Sequence, residues 1–227
     1  VCVIAGLTGN LYMNMYEKKF SKDVASFFRS PVREIFKKVD LNSIYSFAGG
    51  YPSAETFPLE EIRRTMSEVI DKYAGKAFQY GATQGVAELR EAVAKRCGVP
   101  LERVQITSSS QQGIDVCTRV LVNPGDVILM ESPSYLGAIN AFKCCQPKFV
   151  EVPTDEGGMI MEELDKILAT TERVKMIYVI PDFQNPTGRT WSLERRLKFM
   201  EIINKYEIPV IEDNPYGELR FEGEYLP

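Results

Sequence analysis

Apolar positions in this chain change their rhythm near residue 103, and the change divides the sequence. Upstream the spacing is helical. Lys18–Val39 places Val24, Phe27, Phe28, Ile35 and Phe36 among mixed charges, which predicts an arm and a helix interrupted at Ser30-Pro31. Gly49-Gly50-Tyr51-Pro52 predicts a loop. Leu59, Ile62, Met66, Val69, Ile70 and Tyr73 then fall on one helical face behind Pro58, and Val86, Leu89, Ala92, Val93 and Arg96 predict a second helix.

Downstream, short apolar runs alternate with amphipathic segments. Strands are expected at Val104–Thr107, Val127–Met130, Phe149–Val152, Val174–Ile180 and Pro209–Ile211. Helices are expected at Gln111–Val122, with Ile114, Cys117, Val120 and Leu121 inward, and at Tyr135–Phe142, Glu162–Ala169 and Leu193–Tyr206. Such alternation predicts an α/β fold, a three-layer αβα sandwich around a mostly parallel sheet with helical crossovers. No internal repeat or low-complexity tract is visible.

Composition narrows the chemistry mainly by exclusion. With 227 residues, 44% hydrophobic and 26% charged, the chain reads as globular and long enough to bury a core. A net charge of −4 offers no basic footprint for nucleic acid. There is no histidine, so a Ser-His-Asp triad, a Cys-His pair and histidine-ligated metal sites are excluded from these residues, and no metal is expected. The five cysteines form no CxxC and no regular framework, which points to reduced thiols and a cytoplasmic location. No apolar run approaches the ~20 residues of a membrane span. Residues 1–14 lack a basic stretch and a small-residue cleavage site, so no signal peptide is assigned.

Polar groups then collect where strands end. Asn185-Pro186-Thr187-Gly188 follows the run Val174–Ile180, and Glu212-Asp213-Asn214-Pro215-Tyr216 follows Ile208–Ile211. Both belong at the carboxyl edge of the sheet, where open α/β folds bind ligands. Asp213, leaving a buried strand, requires a cation or a proton, and a protonated pyridine nitrogen is one such cation. Asn185 and Tyr216 are donors suited to a phenolic ring oxygen. Thr107–Gly113 joins a strand to a helix, so hydroxyls and free N–H groups at Ser110 and Gln111 form a phosphate-binding geometry, although a serine N-cap without a ligand accounts for the same residues. Tyr135 can stack on a flat ring or serve simply as a core tyrosine. The loop is neither a Walker A nor a Gly-x-Gly-x-x-Gly turn. Amide, carboxylate, phenol and phosphate site together suit pyridoxal 5′-phosphate.

These motifs, with Phe47–Pro52, Phe78-Gln79-Tyr80-Gly81 and Ser132–Tyr135, occur in the order found in fold-type I, pyridoxal-phosphate-dependent class I/II aminotransferases. The α-aminoadipate/kynurenine aminotransferase-like branch is the part of that family the chain most resembles, over roughly Arg29 to Pro227. The resemblance implies that Ser109, Ser110 and Gln111 hold the phosphate, Tyr135 stacks on the ring, Asn185 and Tyr216 contact the ring oxygen, and Asp213 pairs with the ring nitrogen. It implies that the Gly49-Gly50-Tyr51 loop borders the substrate, with Arg29 or Arg33 nearby. Tyr80 would reach the phosphate of a neighbouring subunit, making a homodimer with shared sites. Residues 1–44 would be an arm and part of a small domain, and 45–227 part of the large cofactor-binding domain.

The implied activity moves an amino group from an L-amino acid to a 2-oxo acid. Other reactions of this fold type (C–S lysis, decarboxylation) and the effector domain of a transcription regulator share this half of the chain. Two departures stand out. Ser109 occupies a position where the family has glycine. The lysine that carries the cofactor in the family lies in a Ser-x-Ser-Lys-like stretch beyond the Asp-x-Pro-Tyr segment and is not in this sequence. Residues 1–227 are therefore expected to be part of a longer polypeptide, incomplete at the C-terminus, and inactive alone. Val104–Thr107 is expected to lack a neighbouring strand on one side.

Overall fold

The computed structural model describes Lys19, Gly50 and residues 52–226. The expectations for 1–44, including Arg29 and Arg33, and for Tyr51 lie outside the described residues. Of those described, 52–108 fall in one compact unit and 109–226 in another.

The second unit is built on strands whose composition follows their depth. β1 (Val127–Glu131) is buried at every position, and β5 (Val174–Val179) from Met176 onward. Near-continuous apolar runs of this kind belong to parallel strands covered on both faces. β2 (Lys148–Val152) and β6 (Val210–Glu212) flank them, giving a four-stranded parallel sheet in the order β2-β1-β5-β6. A two-stranded antiparallel hairpin, β3 (Thr154–Asp155) and β4 (Gly158–Met159), follows β2.

Alternating side chains send β1 and β5 into two cores. Val127, Leu129, Ile177 and Val179 meet helices α5 (Met161–Thr170) and α6 (Leu193–Tyr206) through Leu164, Phe199 and Ile202, with Trp191 edge-on to Phe199 at 5.1 Å. Ile128, Met130, Met176, Tyr178 and Ile180 meet α3 (Ser110–Leu121) and α4 (Leu136–Lys143) through Ile114, Ala138 and Phe142. These are the expected three layers. Each fully buried side chain such as Leu129 or Ile177 contributes roughly 1.5–3 kcal/mol. Ser192 caps α6, its hydroxyl accepting from the Arg195 amide at 3.2 Å.

The first unit carries α1 (Leu59–Tyr73) and α2 (Ala87–Cys97), the latter ending on Gly98 in the left-handed region at φ 65°. Gly85, at φ 105°, lies against the Ile106 side chain, and the Ile106 amide donates to Gln84 at 2.9 Å.

Three expectations change. Val104–Thr107 forms no strand: a single turn at Leu101–Arg103 leads into extended chain with no ladder partner among the described residues. An isolated strand cannot satisfy its backbone, so Val104 and Ile106 bond elsewhere: the Val104 amide donates to the Leu101 carbonyl, the Val104 carbonyl accepts from Arg90 Nε, and the Ile106 amide donates to the Gln84 carbonyl. On α3 the inward face is Ile114 and Thr118 with Leu121 half-buried, whereas Cys117 is exposed and Val120 is 77% exposed. Thr118 tolerates burial because its hydroxyl donates to the Ile114 carbonyl at 2.6 Å. The β3–β4 hairpin was not expected, because strands of two residues are too short to show a period.

Candidate active site

The sheet order creates the crevice. From β1 the chain passes to β2 on one side, and from β5 to β6 on the other, so the connections leave the carboxyl ends of β1 and β5 in opposite directions. Loops after such a switch point are where open α/β sheets bind ligands. Tyr135 follows β1 there, Asn185 follows β5, and Asp213 and Tyr216 follow β6.

Asp213 continues β6 by one residue, its amide donating to the Val179 carbonyl at 2.9 Å. The register pairs Tyr178 with Ile211, so Asp213, two residues on, projects from the same face as Tyr178. The Tyr178 hydroxyl accordingly donates to Asp213 Oδ2 at 2.7 Å. Burial, then the carboxylate beside it, pushes the Tyr178 phenol far above its ordinary range, so it stays protonated. Asp213 is half-buried, and Oδ1 receives no hydrogen bond among the described residues.

Asn185 Nδ2 donates to the Tyr216 hydroxyl at 3.2 Å, bringing together the amide and phenol expected at a ring oxygen. Gln184 shapes the loop that carries Asn185. It is buried, its Oε1 accepts from the Thr187 amide at 2.9 Å and hydroxyl at 2.7 Å, and its Nε2 donates to the Pro133 carbonyl at 2.8 Å. One side chain thus ties the loop after β1 to the loop after β5. The turn at Gly217–Leu219 begins with the Gly217 amide donating to Asn214 Oδ1 at 2.9 Å, which sets Tyr216 just before it.

At α3 the exposed Ser109 is extended in the N-cap position, and Ser110 opens the helix. Gln111 Nε2 donates to the Gly137 carbonyl at 2.8 Å, and the Tyr135 ring lies over the Gly137 α-carbon, where a Cβ would strike it. Gln111 and Tyr135 thus meet at one backbone residue, bringing the expected phosphate and stacking residues to the starts of α3 and α4. Gly50 and Tyr80 belong to the other compact unit and are exposed.

Residues that the motifs did not mark hold the site from beneath. Glu131 ends β1, is buried, and accepts from Trp191 Nε1 at 3.0 Å and the Met159 amide at 3.1 Å. Burial raises its pKa. Asp182, fully buried after β5, accepts at Oδ1 from Arg196 Nη2 at 2.8 Å and Arg220 Nη2 at 2.7 Å. Lys198 and Lys205 pair with Glu201 and Asp165, away from these groups. Among the described residues no cluster of ligands could hold a metal ion, and no helix is long and apolar enough to cross a membrane.

A three-layer αβα unit with carboxylate, amide and phenol at its switch point defines the class. The family model for aminotransferase class I and II matches residues 46–226, and the chain belongs to that family. It is 44% identical to aromatic-amino-acid aminotransferase 1 of Thermococcus litoralis over 92% of this chain and 52% of the relative. The crystal structure of a Thermus thermophilus α-aminoadipate aminotransferase, complexed with N-(5′-phosphopyridoxyl)-L-leucine, superposes with a TM-score of 0.85 at 38% identity, covering 93% of this chain and 53% of that one. A Pyrococcus horikoshii kynurenine aminotransferase gives 0.85 at 40% identity, covering 94% and 55%. The chain spans about half the length of the curated relatives it matches.

Proposed function

We propose that this chain forms the cofactor-binding part of a pyridoxal-phosphate-dependent aminotransferase that moves an amino group from an L-amino acid to a 2-oxo acid. The observation that carries the reading is the convergence of Asp213, Asn185 and Tyr216 at the carboxyl edge of β5 and β6. These donors and acceptors fit the group: Asp213 has an oxygen left over for a protonated ring nitrogen, and Asn185 and Tyr216 already share one hydrogen-bonding spot. Complexed relatives and family membership support the same reading.

When bound, the cofactor's protonated ring supplies an electron sink for charge developing at the amino acid's α-carbon. The chain's own residues prepare that ring. Asp213 keeps the proton on the ring nitrogen through its negative charge. Asn185 Nδ2 and the Tyr216 hydroxyl donate to the ring oxygen and favour its anionic form. Tyr135 covers one ring face. Ser109, Ser110 and Gln111 offer hydroxyl, amide and backbone donors to the phosphate at the positive end of α3. Gly50 and Tyr51 are assigned to the substrate border, and exposed Tyr80 to a neighbouring subunit's site in a cytoplasmic homodimer. Dispersed reduced cysteines favour that compartment.

The test is pyridoxal phosphate titration and transamination by the protein carrying this chain, with Asp213→Asn beside it. The cofactor should bind with a shifted absorption band. Asp213→Asn should lower kcat on the order of 10²–10³-fold, as removal of one preorganised group does. No cofactor binding, or an unchanged kcat in Asp213→Asn, would overturn the reading.

A further inference from the structure

Tyr178 is 0% exposed, and its ring is edge-on to Phe142 at 5.3 Å within the core between the sheet and α3 and α4. A phenol buried this deeply must place its O–H on a fixed partner. Here the partner is Asp213 Oδ2, the carboxylate assigned above to the ring nitrogen. We propose that Tyr178 is a positioning residue for that contact: its hydroxyl holds Oδ2, fixes the carboxylate's orientation, and turns Oδ1 toward the ring nitrogen. The inference rests on the cofactor reading above.

The geometry favours a device over incidental packing. Asp213 lies one residue beyond the end of β6, where backbone pairing alone leaves the side-chain torsions free. Tyr178 comes from the adjacent central strand, whose register places it on the same face. Its ring cannot swing away without opening the Phe142 contact. The bond also has a fixed direction, because a phenol that keeps its proton can only donate to a carboxylate.

The consequence is electrostatic. With Oδ2 held by Tyr178, the carboxylate keeps Oδ1 and its negative charge aimed at the ring nitrogen, which retains its proton. A hydrogen bond to a charged group is strong enough to move that equilibrium about ten- to a hundredfold, or about one to two pH units. Loss of the hydroxyl lets the Asp213 carboxylate rotate away. The ring nitrogen then deprotonates at lower pH.

The experiment loads the protein carrying this chain with ¹⁵N-labelled pyridoxamine phosphate and follows the ring-nitrogen NMR shift against pH. Tyr178→Phe keeps the ring and its packing, and should lower the titration midpoint by about one to two pH units. In Asp213→Asn, adding Tyr178→Phe should move nothing further. Incorporation of 3-fluorotyrosine at 178, a stronger donor of nearly the same shape, should move the midpoint, and this arm decides if Tyr178→Phe does not fold. A midpoint unmoved by either change overturns the inference and leaves the cofactor reading standing. So does an equal shift in the Asp213→Asn background. Failure of the unsubstituted protein to bind the ligand overturns both.

Discussion

Single side chains at the bottom of the crevice set measurable quantities. Glu131 accepts from Trp191 and from the Met159 amide in a buried pocket, and burial raises its pKa above the ordinary 4.5. The folded state therefore holds this proton more tightly than the unfolded chain does. As pH rises through 4.5 the unfolded chain ionises first, so the Glu131 contribution falls until its folded pKa is passed. Glu131→Gln keeps an acceptor for Trp191 and removes the charge. Urea unfolding from about pH 4 to 8 should show the variant gaining on the unsubstituted chain as pH rises; a constant difference would refute the burial effect. Gly158 is bound to the same pocket. At φ 100° its added Cβ would meet the indole nitrogen of Trp191, which is buried, whereas Gly98 at φ 65° faces open space. Gly158→Ala should cost roughly 2–5 kcal/mol from strain and overpacking, and Gly98→Ala only about 1–2, by denaturant midpoint. Legibility in the sequence tracks this difference in setting. Asp213, Asn185 and Tyr216 stand out because they lie in polar, proline-marked turns that follow apolar runs. Tyr178, Gln184 and Glu131 sit within or beside such runs, where a tyrosine or glutamate reads as an ordinary strand residue.

At the level of elements, the carboxyl edge is held by a charge cluster that joins segments distant in sequence. Arg196 from α6 and Arg220 from beyond the Gly217–Leu219 turn share Oδ1 of Asp182, and Arg220 also lies over the Phe183 ring at 4.8 Å. Asp182→Ala would strand two guanidinium groups with side-chain exposures of only 9% and 15%. A loss of about 3–5 kcal/mol is expected, since removing one partner of a buried pair leaves uncompensated charge. Chemical denaturation checks it, and a loss below about 1 kcal/mol, the range of surface pairs, would mean the cluster is solvated. No spacing rule announced this cluster, because its members lie on a strand end, a helix and a loop. The same limit explains the hairpin β3–β4, where Arg195 Nη1 binds Asp155 at 2.7 Å and the Gly158 and Met159 carbonyls at 2.9 and 2.8 Å. Long periodic elements were legible by contrast: β1, β5 and α6 fall within a residue of the expected bounds. On α3 the helix was legible but its face was not, since Thr118 satisfies its own hydroxyl inside the core.

For the whole molecule, strand order decides how stability is distributed. β1 and β5 each have a hydrogen-bonded neighbour on both sides and a helical layer on both faces, whereas β2 and β6 have one ladder partner each among the described residues. The order follows from composition, since the most continuously apolar runs must occupy the centre of a covered parallel sheet. Amides of β1 and β5 can therefore exchange only when the sheet opens as a unit, while outward-facing amides of β2 and β6 need only local fluctuations. Hydrogen exchange on the 227-residue chain should show the Leu129, Met130, Ile177 and Tyr178 amides at least on the order of a hundredfold slower than the outward amides of the flanking strands. The carboxyl ends of the two slow strands are also where the loops bearing Tyr135 and Asn185 start, so the crevice is anchored on the least mobile part of the sheet. Uniform protection across all four strands would mean that the outer edge of β6 is paired as well, and would refute a gradient set by the sheet order alone.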